Sequence, residues 1–200
     1  MKNIKKNIIE NSQDILEFGL DQFINSEIIK AFPIVGTVVK IGFSVKSISD
    51  RIFLKKLEGF IVHYNRLDSI EINEMLYQIK TDDNFTNKVG ESLILLLDRF
   101  SDLDKPEYMA KCFAAFIRKE ISYDDFIRLG AAIDLSHSPD LKLFIKNPED
   151  EKILNTLIRT GLTKISDYAI ATTLNGSSPV TLFVTQTELG KIFLKIFVNP

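Results

Sequence analysis

Catalysis and metal binding need particular residue types at fixed spacings, and in this chain those types are sparse and scattered. There are two histidines, His63 and His137, and one cysteine, Cys112. A zinc site draws its ligands from patterns such as HExxH or paired CxxC, and neither occurs, so no metal and no cofactor is expected. Phosphate cradles of the GxGxxG or GxxxxGKS/T kind are missing as well. Cys112 stands among Met109, Phe113 and Phe116 at helical spacing, which predicts a buried structural thiol in preference to a nucleophile. Four acidic groups could be imagined as acid/base or metal sites: Asp82 with Asp83, Asp102 with Asp104, Asp124 with Asp125, and Glu149 to Glu151. Each falls at an expected helix start, where a carboxylate satisfies free backbone N–H groups and the helix dipole. SDLDKPEYM also lacks the remaining ligands of an EF-hand loop. Unless catalytic groups converge from distant positions, the chain is expected not to be an enzyme.

The basic residues say more. Lys46, Arg51, Lys55 and Lys56 give residues 32–64 a positive excess beside a broad apolar face, the make-up of a helix that lies in an anionic membrane interface. A membrane surface is therefore the alternative partner. FPIVGTVVKIGFSV, residues 32–45, is the most apolar part of the first half, yet only nine residues separate Lys30 from Lys40. A bilayer-spanning helix takes about 20 mostly apolar residues, so a simple span is disfavoured. From Val38 onward Lys40, Ser44, Ser47, Arg51, Lys55 and Glu58 form one polar stripe. Ile41, Val45, Ile48, Ile52, Leu57, Phe60, Ile61 and Tyr64 line another side, which predicts a long amphipathic helix beginning near Pro33. Val35, Val38, Ile41 and Val45 are expected to be covered by the first helix, Ile8 to Ile24, and by the central bundle.

The elements around these residues are mostly helical. Asp68 with Glu71 and Asp104 with Glu107 have capping-box spacing, with Ser122 and Asp125 a weaker version. Val89, Leu93, Leu96, Leu97 and Phe100 make one apolar face, Met109, Cys112, Phe113, Phe116 and Ile117 a second, and Phe126, Leu129 and Ile133 a third. After SHSPD the character changes. Asn147 is expected to cap and Pro148 to open a short helix that ends at Gly161. KISDYAIATTL and PVTLFVTQ then flank NGSS as a β-hairpin, and Thr185 with Glu188 opens a last amphipathic helix. The expected fold is mainly α, a helical bundle over 1–135 with a C-terminal β-hairpin in an α+β module over 136–200.

The totals agree with such an object. The chain has 200 residues, 45% of them hydrophobic, a formal charge of -2 and a pI near 5.8. That length buries a core without staples, and the charge lacks the excess of a whole-surface nucleic-acid binder. A lone cysteine excludes an internal disulfide and makes a reducing cytoplasm the simplest compartment. The start, MKNIKKNIIENSQDILEFGL, has charges through any apolar core and is read as mature protein.

The segment LNTLIRTGLTKISDYAIATTLNGSSPVTLFVTQTELGKIFLKIF resembles the ending of winged-helix domains. The matching residues are Leu157, Gly161, Leu162, Thr185, Leu189 and Gly190. In a DNA-binding member the helix before the wing reads the bases, and the resemblance then implies a basic patch around Lys142, Lys146, Lys152, Arg159 and Lys164. Glu149, Asp150 and Glu151 stand where that helix would meet phosphates, so nucleic acid is disfavoured as a partner. The whole chain, with FPIVGTVVKIGFSVKSISDRIFLKKLEGFI at its front, looks like small bacterial helical proteins of phage-defence or mobile-element neighbourhoods. That likeness implies an accessory role exerted through contact. The resulting expectation is a protein partner, or a second copy, docked on Tyr168, Phe183, Phe193 and Phe197, some of which must be core.

Overall fold

A computed structural model of the chain describes residues 48–64, 83–170 and 180–198. Residues 32–45, the first predicted helix, the Asp68–Glu71 pair, Lys46 and the NGSS loop lie outside the described residues. Two compact units divide the chain, Met1–Asp98 and Arg99–Pro200.

In the first unit, α1 (Ile48–Tyr64) buries Phe53, Leu57, Phe60 and Ile61, which recur at steps of four, three and one on one helical face. Ile52 was expected on that face but is exposed, and Phe53 takes its place. One residue is about 100° of helix, enough to turn a side chain from core to solvent. Helix α2 (Asp83–Arg99) buries Val89, Leu93, Leu96 and Leu97, the face read from the sequence. Lys56 is buried as well, and its ammonium donates to the Asp98 carbonyl at the end of α2 (2.7 Å). A cation there satisfies a carbonyl that the helix leaves open and complements the negative end of its dipole.

The second unit opens with buried Phe100 and continues through α3 (Lys105–Ile117), α4 (Tyr123–Leu135), α5 (Ser138–Lys146) and the short α6 (Glu151–Thr156). A 3-10 turn, Ile158–Thr160, leads to β1 (Thr163–Ile170), β2 (Val180–Gln186) and α7 (Glu188–Val198). Phe113, Phe126, Leu129, Ile133, Phe144 and Phe193 are wholly buried and form its centre. Phe113 meets Phe126 at 5.9 Å between ring centroids, and Phe144 meets Phe193 at 6.1 Å, so α7 closes on α5. The architecture is mainly α with one C-terminal hairpin, as the periodicities predict. No helix among the described residues is long and apolar enough to cross a membrane.

Helix starts depart from the sequence reading in instructive ways. Ser122 and Asp125, the weaker pair by sequence, form a full capping box: Asp125 N–H donates to Ser122 Oγ (3.1 Å) and Ser122 N–H to Asp125 Oδ2 (3.4 Å). Asp104 does not cap α3, because its backbone is already helical and a cap needs an extended one. Asp102 caps instead, accepting from the N–H groups of Asp104 (2.9 Å) and Lys105 (3.1 Å). Asn147 closes α5 in place of opening α6, and Asp150 caps α6 by accepting from Lys152 and Ile153 N–H. Thr185 lies within β2, and the cap of α7 is Thr187, whose Oγ1 accepts from Gly190 N–H (3.1 Å).

Candidate docking surface

The surface begins with a turn that only glycine makes easily. Gly161 ends the 3-10 turn at φ +81, the left-handed region where a Cβ is strained. This turn sends the chain into β1 and brings it beside α7. The Thr187 hydroxyl donates to the Gly161 carbonyl (2.7 Å), and Thr187 N–H donates to the Leu162 carbonyl (2.9 Å). Gly190, one turn into α7, lies so close to Leu162 that a Cβ there would overlap its carbonyl oxygen. Thr187 and Gly190 thus form the contact that fixes the root of the hairpin against the last helix.

The root is held on its other side too. Buried Thr163 donates from Oγ1 to the Leu154 carbonyl (2.7 Å), and Gln186 donates from Nε2 to Pro148 O (3.1 Å) and Glu149 Oε1 (2.7 Å). Two residues out from Gln186, Val184 is still buried. Beyond it the ribbon leaves its cover. Antiparallel partners share a face, and the register pairs Ile165 with Val184 and Tyr168 with Leu182. A bulge between Ile165 and Asp167 inserts one extra residue, so Ile165 and Tyr168, three apart in sequence, fall on the same side. Ile165 is 48% exposed, Tyr168 63% and Leu182 37%. Phe183 is 49% exposed and pairs with Asp167 on the opposite face.

The four predicted aromatic anchors are therefore not brought together. Tyr168 and Phe183 are both exposed, on opposite faces of the ribbon. Phe193 is fully buried, and half-buried Phe197 packs against it with tilted rings at 4.5 Å, lies 5.4 Å from Tyr108 and carries the Lys111 ammonium over its ring at 5.3 Å. Both belong to the packing of α7. Ile165 and Leu182 were missed. Alternation within a strand does not say that Leu182 pairs with Tyr168, which is a matter of register, and nothing in the sequence announces the bulge that turns Ile165 to the same side.

The basic residues differ in exposure. Lys55 is exposed but Lys56 is not available to a surface, and the Arg51 side chain lies outside the described ones. Lys142, Lys146, Lys152, Arg159 and Lys164 are all exposed. Lys142 is bound to Asp104 at 2.7 Å, which holds its ammonium above its usual range. Asp150 and Glu149 are occupied by the cap of α6 and by Gln186.

Cys112, Lys105 and Asp102 are engaged in packing and hydrogen bonds. Burial pushes the Cys112 thiol far up and keeps it neutral. Lys105 is 1% exposed, and its ammonium donates to Ser101 Oγ (2.8 Å) and to the Asp134 carbonyl (2.8 Å) at the end of α4. Asp102 accepts from the buried Ser138 hydroxyl on both oxygens (3.0 and 2.8 Å) while it caps α3. Ser101, Asp102 and Lys105 thereby clamp the entry of α3 to the α4–α5 connection. No group of three or more His, Cys, Asp or Glu side chains among the described residues is placed to hold a metal ion. Comparison with known protein families, curated proteins and solved structures finds no match.

Proposed function

We propose that the protein is a non-catalytic docking protein whose partner-binding element is the C-terminal hairpin. The observation that carries this reading is the apolar face of Ile165, Tyr168 and Leu182, exposed on a ribbon whose root is held by hydrogen bonds of Thr163, Gln186 and Thr187. Side chains on a rigid support lose little conformational entropy on binding, and tyrosine is among the residues enriched where interface energy concentrates. The two strand edges differ. β1 carries the bulge together with Lys164 and Asp167, devices that discourage strand addition, whereas β2 has no charge, proline or bulge from Val180 to Gln186. An extended segment of a partner protein fits that β2 edge by backbone pairing, with Tyr168 and Leu182 giving it side-chain contact. A winged-helix-like role as a protein-docking module fits the same arrangement, and DNA reading gains no support from the acidic start of α6.

The test compares the full chain with a Tyr168→Ser/Leu182→Ser variant in recovery of bound protein from cell extract, with circular dichroism and melting temperature as controls. The double variant is expected to lose the recovered protein at an unchanged spectrum and with only a small drop in melting temperature, since Tyr168 is 63% and Leu182 37% exposed. Equal recovery by both forms overturns the assignment. Phe193→Ala serves as the contrasting control: deleting a buried Phe costs about 3–5 kcal/mol, so it should lower the melting temperature as well.

A further inference from the structure

We draw no further inference here: the strongest candidate, the uncharged outer edge of β2 beside the Ile165–Tyr168–Leu182 face, belongs to the docking surface already described, and nothing in the structure shows what covers it.

Discussion

At the scale of single residues, two glycines a few positions from the hairpin root do different work. Gly161 supplies a left-handed turn in open space, so Gly161→Ala should cost about 1 kcal/mol, the ordinary penalty for a Cβ in that region. Gly190 has an ordinary backbone but no room, since a methyl group would meet the Leu162 carbonyl, a piece of backbone that cannot swing aside. Gly190→Ala should cost about 3 kcal/mol by forcing α7 away from the root of β1. Urea unfolding of the two variants checks the order, and equal losses would show that the close approach is not what Gly190 provides. Tyr108 gives a pH signature. Burial raises its hydroxyl to about 12, with the carboxylates of Glu107, Asp104 and Asp102 adding to the effect, against an ordinary value of 10. The unfolded chain therefore releases this proton first, and the folded protein loses stability as pH rises from 10 toward 12. In Tyr108→Phe that part of the alkaline loss should vanish, which the difference between the two proteins' stability curves over this range measures.

At the scale of elements, the helix starts show how backbone geometry selects among candidate caps. Ser122 is extended where Asp104 is helical, and only the extended residue can turn its oxygen onto the first N–H groups. Ser122→Ala should cost about 1 kcal/mol and Asp104→Ala less, because the Asp104 side chain makes no cap and its ion pair with Lys142 is exposed. The two halves of the box also depend on each other. Ser122→Ala and Asp125→Ala combined should cost less than the sum of the single changes, and a double-mutant cycle in urea reads the difference. The hairpin follows the same logic. Its bulge settles which side chains share a face: alternation alone would put Ile165 and Tyr168, three apart, on opposite sides, and the extra residue brings them to the same one.

At the scale of the whole molecule, the unit from Arg99 to Pro200 carries a core of its own in Phe100, Phe113, Phe126, Phe144 and Phe193. Its helices are tied by Lys105 to the end of α4, by Asp102 to Ser138 and by Thr187 to the Leu162 turn. Each buried Phe contributes roughly 1.5–3 kcal/mol, on a scale where 5–15 kcal/mol holds a domain together. A fragment from Arg99 to Pro200 should therefore unfold in one cooperative transition. A gradual, non-cooperative melt by circular dichroism would show that the core depends on residues before Arg99.

What the sequence determined by itself, among the described residues, was the kind of most elements, though not of helix α5 at Ser138–Lys146. Apolar residues at helical steps, such as Leu93, Leu96 and Leu97 or Phe126, Leu129 and Ile133, can be buried together only on a helix, and the alternation of Val180, Leu182 and Val184 fits a strand. These patterns are local, so they can be read along the chain. The candidate site was less legible, because exposure is a property of what packs nearby. Phe193 and Tyr168 are both aromatic residues of the last forty, yet one lies against Phe144 and the other at the open end of a ribbon. Lys56 and Lys105 read as surface charges until α2 and α4 bring carbonyl groups to them from 42 and 29 residues away. Tertiary structure alone decided these points, since the contacts that bury a side chain or satisfy a charge come from parts of the chain that no local pattern encodes.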